Sequence, residues 1–263
     1  MLLDRLDELT YGYNSIAEMN GKHSNMLMDV GILKMRKDDA KINIDESKET
    51  AFLLLDGTVI LEWEDNKKEI SRSSLFDEEP FCLHVPKGIE VKITSVSEAE
   101  VLIQKTTNEK TFNSKLYAQE DCRSDVFGEG VLGDTSRRVV RTIFDYCNAP
   151  YSNLVIGEVI NYPGKWSSYP PHHHPQPEIY YYRFNKPQGF GCSIIGDNVY
   201  KISHNSMAAI PGGLVHPQTT APGYAMYYCW MIRHLDDNPW TDRIDEEAHK
   251  WLLDSNAKIW PDK

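Results

Sequence analysis

Residues 170 to 178 read PPHHHPQPE, three successive histidines fenced by prolines and followed by a carboxylate, far from either end of the chain where a purification tag would sit. In an extended segment side chains two apart share a face, so His172 and His174 point one way and His173 the other. Glu178 has the same parity as the pair, and Pro175 and Pro177 require a bend or bulge that still aims its carboxylate inward. A further histidine follows in NSMAAIPGGLVHPQ, where Gly213 lets the chain reverse sharply and His216 emerges on the strand after it. Three imidazoles and a carboxylate suit a divalent transition metal such as zinc, manganese, iron, cobalt or nickel, and the absence of nearby cysteine argues against a closed structural zinc site. Such an ion accepts more ligands than four side chains supply, which leaves positions open for a chelating substrate.

These ligands need a scaffold that holds them from distant parts of the chain, and the sequence reads as short strands and turns. TAFLLLDGTVILEWEDNKKEI joins two apolar runs through Asp56-Gly57, a hairpin signal, and FCLHVPKGIEVKITSVSEAEVLIQKT, RRVVRTIF and NLVIGEVINY continue the β pattern. Helical spacing is confined to LLDRLDEL at the start and to DEEAHKWLLD at the end, where Ala248, Trp251 and Leu252 share a face. Each half also repeats strands, a P-x-G turn and another strand, at Pro86-Lys87-Gly88 and at Pro211-Gly212-Gly213. Two copies of one β-barrel are therefore expected, over residues 1–130 and 131–263, with the Gly- and acid-rich stretch 118 to 134 as linker. In the first copy Val91 stands where His216 stands in the second and no H-x-H precedes it, so the first barrel is expected to lack metal ligands.

Composition narrows the function. Lys and Arg number 28 against 39 Asp and Glu, a formal net charge of -11, so nucleic acid as a partner has no electrostatic footprint. The N-terminus carries acidic residues where a signal peptide needs a basic region, and no long apolar run suits a membrane, so a cytoplasmic protein without a membrane partner is expected. Five scattered cysteines, odd in number and never in a C-x-x-C pair, read as reduced thiols. No glycine-rich nucleotide-binding motif is present, so no nucleotide cofactor is expected.

In order and spacing, His172, His174, Glu178, Pro211, Gly213 and His216 resemble the two motifs of the cupin superfamily, with Asn205 at the position where a glycine often opens the second motif. Asn tolerates the left-handed backbone that glycine would supply there. The blocks GKWSSYPPHHH, EIYYYRF, PGGLVHPQTTAPGYAMYY and DEEAHKWLL are similar to the 5-deoxy-glucuronate isomerases of myo-inositol catabolism, themselves related to the 4-deoxy-L-threo-5-hexosulose-uronate ketol-isomerases. That resemblance covers most of residues 130 to 263. It departs at the short PQP before Glu178 and at YYCWMIRHLDD.

The resemblance implies an all-β bicupin, two double-stranded β-helix (jelly-roll) barrels with short terminal helices. It also implies a metal-dependent aldose–ketose isomerase that converts 5-deoxy-glucuronate to 2-deoxy-5-keto-gluconate. For the sugar acid's carboxylate, Arg183 and Lys165 are the candidate partners, Arg being the better planar clamp. For proton transfer the candidates are Tyr180, Tyr182 and Tyr228, with Glu158 on the preceding strand as a carboxylate alternative. A homo-oligomer is expected, because exposed sheet edges in such barrels are commonly covered by a partner chain. Two other readings use the same residues: a cupin dioxygenase with iron at the four ligands, and a non-catalytic sugar-binding cupin.

Overall fold

β-branched and aromatic runs with alternating burial organise about half of the chain into strands, as in Val91–Ser95, where every second side chain is buried. The computed structural model describes residues 2–6 and 8–261. One sheet of nine strands takes its members from residues 12 to 117, and a sheet of seven takes all but one of its members from residues 123 to 233. The order in the seven-stranded sheet is Leu3–Arg5, Ser206–Ile210, Glu178–Phe184, Met226–Arg233, Leu154–Asn161, Arg138–Phe144 and Arg123–Phe127. A four-stranded sheet, ordered Trp166–Ser167, Gln218–Thr220, Phe190–Ile195 and Asn198–Ser203, completes the second half.

Both faces of the central strands of the seven-stranded sheet are buried, and side-chain parity sorts their residues between two cores. Ile156, Ile179, Tyr181, Tyr227 and Met231 pack with Ile16, Met26, Met28 and Leu53 of the first half. Their sequence neighbours Val155, Tyr180, Tyr182, Tyr228, Trp230 and Ile232 face the interior of the second half. The first half has its own apolar filling, which includes Leu33, Phe52, Val59, Trp63 and Val91. Val91 is fully buried there, and Gly88 before it takes a left-handed φ of 80°, close to the 84° of Gly213. At the corresponding turn of the first half the position is therefore taken up by close packing.

Four sequence expectations change. Asp56-Gly57 is no hairpin turn: Lys48–Trp63 is one strand of 16 residues that pairs with Ala99–Thr107 before that point and with Asn66–Arg72 after it. A bulge between Leu54 and Asp56 bends the strand, and Gly57 at φ +91° is needed because a Cβ would lie 2.2 Å from the Glu98 carbonyl oxygen. The hairpin itself turns at Glu64-Asp65, between Trp63 and Asn66.

The N-terminal stretch expected to be helical holds the strand Leu3–Arg5, paired with Ser206–Ile210. A segment that short gains little as an isolated helix, whereas the sheet edge supplies ready backbone partners. The C-terminal stretch is a 3-10 helix, Glu247–Leu253.

The expected linker holds the strand Arg123–Phe127, paired to Arg138–Phe144, so that strand and Leu3–Arg5 belong to the second half's sheet although both precede residue 130. His216, expected on a strand, lies two residues ahead of Gln218–Thr220. All five thiols are unpaired; Cys82 and Cys229 are buried and Cys147 is exposed.

Candidate metal centre

The histidine run forms only a two-residue strand, His172–His173, paired with Ile244–Asp245. His172 and His174 are buried, while His173 is partly exposed and its Nε2 approaches Glu246 at 3.6 Å. Pro175 and Pro177 stop the ladder, and Glu178 begins the next strand with its side chain on the interior face. The Pro211–Gly213 turn is pressed against this bend. Gly213 N–H donates to the His174 carbonyl at 2.7 Å, and a Cβ on Gly212 would lie 1.9 Å from the Pro175 carbonyl oxygen. Glycine at 212 therefore lets the His216 loop approach close enough to complete the cluster. Asn205 does hold the left-handed conformation, at φ 63°.

The ligand atoms of His174, Glu178 and His216 all lie within 4.8 Å of one another, the one such group of three or more among the described residues. Glu178 Oε2 is 3.2 Å from His174 Nε2 and 3.3 Å from His216 Nε2. His172 lies just outside this group, its ring edge-on to that of His216 with centroids 5.1 Å apart. Each imidazole is oriented from behind by a main-chain carbonyl: His172 Nδ1 bonds to Pro170 O at 2.9 Å, His174 Nδ1 to Gln176 O at 3.0 Å and His216 Nδ1 to Leu214 O at 2.8 Å. A carbonyl can only accept, so each Nδ1 carries a proton and each Nε2 is left for the interior. Burial pushes the His172 pKa down to about 2, with the adjacent His216 adding to the effect, and burial also lowers that of His216. A neutral His216 facing the Glu178 carboxylate brings acceptor against acceptor, and its buried Nε2 has no hydrogen-bond partner, while His174 Nε2 crowds the same carboxylate oxygen. A cation between these atoms satisfies all of them at once, so the residues present fit a divalent metal.

The four predicted ligands open onto a cavity of about 650 Å³, also lined by Tyr180, Tyr228, Trp230, Trp240, Arg138 and Arg243. Tyr228 Oη lies 2.6 Å from Ser167 Oγ, and Tyr180 Oη 3.2 Å from Ser168 Oγ. Burial raises the pKa of both phenols, which keeps them protonated as donors. Tyr182 stands behind this row, donating at 2.6 Å to Gln218 Oε1, whose own amide nitrogen reaches Ser168 at 3.2 Å. The stretch expected to be a linker contributes Arg123, Asp125, Phe127 and Leu132 to the cavity wall, and Leu252 and Leu253 of the C-terminal 3-10 helix close another side.

A family model described as the KduI/IolB family matches residues 2–252. The chain belongs to this family. Among relatives, 5-deoxy-glucuronate isomerase from Bacillus velezensis is 26% identical over 268 residues, covering 94% of this chain and 96% of that one. The enzyme of the same name from Lacticaseibacillus casei is 27% identical over 273 residues, with the same coverage of 94% and 96%. An IolB-like protein from Salmonella typhimurium superposes with a TM-score of 0.88 at 20% identity, covering 97% of this chain and all of that one. Oxalate decarboxylase from Lactobacillus farciminis gives 0.68 at 11% identity over 93% and 88% of the two chains. Those likenesses carry the fold, which is that of the cupin jelly rolls.

Within this member of the KduI/IolB family, four of the residues proposed from sequence stand away from the cavity: Tyr182, behind the row of phenols, and Glu158, Arg183 and Lys165. Glu158 is fully buried on the other face of its strand. Arg72 of the first half holds both its oxygens, at 2.7 and 2.8 Å, while Tyr227 donates at 2.9 Å and Arg141 lies at 3.5 Å. Its carboxylate joins the two halves and has no route to a bound sugar. Arg183 has the parity of Tyr181, and its guanidinium is engaged by Tyr181 Oη at 2.7 Å and by Glu100 of the first half. Lys165 sits in the turn after Asn161 and is not part of the cavity wall. The cationic residues that do face the cavity, Arg123, Arg138 and Arg243, went unassigned in the sequence. A usable signal existed for one of them: in RRVVRTIF, Arg138 shares a face with Val140 and Thr142, and all three line the cavity.

Proposed function

We propose that this isomerase of the KduI/IolB family converts 5-deoxy-glucuronate to 2-deoxy-5-keto-gluconate, using a divalent transition metal held by His172, His174, Glu178 and His216. The observation that carries the reading is the set of three imidazoles whose Nδ1 atoms are committed to carbonyls, two of which, His174 and His216, bring Nε2 to one carboxylate. The relatives' name supplies the substrate. When bound, a divalent ion would act as a Lewis acid toward the carbonyl and neighbouring hydroxyl oxygens of an aldose.

The chain's own groups do the rest. Tyr180 and Tyr228, kept protonated by burial, can donate from Oη to a substrate oxygen at which negative charge develops. The hydrogen bonds shared with Ser167 and Ser168 fix where those hydroxyls sit. Trp230, Trp240 and Leu252 give the cavity apolar walls, beside which each polar contact is stronger than in water.

The test is incubation of metal-loaded protein with 5-deoxy-glucuronate in deuterated water without oxygen, followed by NMR. Loss of the aldehyde proton with growth of a ketose, stopped by a chelator, is expected. An aldehyde signal that persists while aerobic incubation consumes oxygen would assign the site to oxygenase chemistry instead.

A further inference from the structure

We propose that Arg138 is the carboxylate-binding residue of the cavity, gripping the acid end of a sugar acid whose other end lies at the His172, His174, Glu178 and His216 cluster. The proposal deepens, and rests on, the reading of the cavity as a sugar-acid isomerase site. Arg138 is only 7% exposed, and its recorded hydrogen bonds go to two neutral main-chain carbonyls, Ser136 O at 2.8 Å and Tyr169 O at 3.4 Å. Among the described residues no carboxylate pairs with it. The other buried arginines, Arg72 and Arg141, share Glu158, and the partly buried Arg183 has Glu100. A buried guanidinium without a counter-charge is costly unless a ligand brings one.

Its placement is that of a clamp. Arg138 lies on the interior face of Arg138–Phe144, with the Phe127 ring centroid 5.7 Å from its guanidinium carbon. The carbonyl of Tyr169 that it touches adjoins the carbonyl of Pro170 that orients His172, so adjacent peptide groups hold the clamp and the ligand cluster. Arg243 lines the same cavity and is half-satisfied by Asp245 at 3.1 Å. Burial first, and then the positive charge of Arg243, work against the charge on Arg138, and a carboxylate seated between the two would offset both. A guanidinium also offers the planar, two-pronged geometry that a carboxylate matches, which a lysine lacks.

The experiment compares wild type with Arg138→Gln and Arg138→Lys, all metal-loaded and checked by circular dichroism and metal analysis. Binding of D-glucuronate and of D-glucose, which differ in the carboxylate, is read by quenching of tryptophan fluorescence, since Trp230 and Trp240 line the cavity. Wild type should prefer the acid, and Arg138→Gln should lose roughly tenfold or more of that preference, the worth of one charge-assisted hydrogen-bonded contact. Arg138→Lys should fall between, and in turnover with 5-deoxy-glucuronate the loss should appear mainly in KM. If Arg138→Gln fails to fold, Arg138→Lys decides, and unchanged acid affinity in it overturns the clamp. No acid preference in wild type, or an undiminished one in Arg138→Gln, overturns it as well. The two readings fail separately. Isomerisation with an unaltered KM in the variants removes the clamp and keeps the reaction, whereas an Arg138-dependent acid preference without isomerisation keeps the clamp and removes the reaction.

Discussion

Replacing Glu158 with Ala should unfold the protein more easily and leave its chemistry alone. The side chains of Glu158 and Arg72 are fully inaccessible, the pair is bidentate at 2.7 and 2.8 Å, and Tyr227 adds a third donor at 2.9 Å. Deleting the carboxylate strands the Arg72 guanidinium where neither water nor another carboxylate can reach it; its other contacts are the carbonyls of Leu54 and Glu78. Removing one partner of such a buried pair costs about 3–5 kcal/mol. For a chain of this size that corresponds to a melting point lowered by roughly 6–20 °C. Replacing both Arg72 and Glu158 with apolar residues of similar volume should recover much of the loss, because no uncompensated charge remains, although Arg141 keeps only Glu79, at 3.0 Å, as its carboxylate partner. Melting followed by circular dichroism, with kcat measured well below the transition, separates the roles. A Glu158→Ala protein that melts with wild type yet loses turnover by orders of magnitude would refute a joint between the halves and restore Glu158 to the chemistry.

His84→Ala should lower stability by ~2–4 kcal/mol at unchanged kcat, because it opens a void beside Phe144 and strips a hydrogen bond from buried Glu49; a denaturant titration with a turnover assay checks this. Gly212→Ala should reduce metal affinity while the sheets persist, since its Cβ would push the His216 loop off the Pro175 carbonyl; calorimetric zinc titration against circular dichroism reads both. Burial holds the pKa of His234 at about 4, and its Nδ1 accepts from Trp240 N–H at 2.8 Å. The unfolded chain, with a histidine pKa near ~6.5, then binds more protons below that pH, so stability falls as pH drops from about 6.5 through 4 and is unaffected by this group above it. His234→Asn should flatten that slope in urea titrations at a series of pH values, and an unchanged slope would remove His234 as a contributor.

The approach of His174, Glu178 and His216 was legible because it is written locally: a histidine run, a carboxylate of the same parity, and a P-x-G turn whose glycine takes the left-handed backbone. The strand content and the apolar substitute at Val91 were legible for the same reason, since periodicity and turn chemistry act over a few residues. The functions of Asp56-Gly57, Glu158 and Arg183 were not. Each is decided by a partner far away in the chain, the Glu98 carbonyl, Arg72 and Glu100 respectively. Glu158 and Arg183 read as polar groups beside a site, and only the packing of one half on the other reveals that they face the junction. Arg138 shows the reverse case, an inward-facing charge whose meaning rests on what is missing around it.

The most direct measurement strips the protein of metal, returns a divalent ion in steps, and follows both bound ion and the isomerisation of 5-deoxy-glucuronate. Turnover should rise in proportion to bound ion and level off at one ion per chain, and His174→Ala, with its sheets intact by circular dichroism, should neither hold the ion nor turn over. Full turnover by the stripped protein, or full ion occupancy in His174→Ala, would contradict a metal centre at these residues.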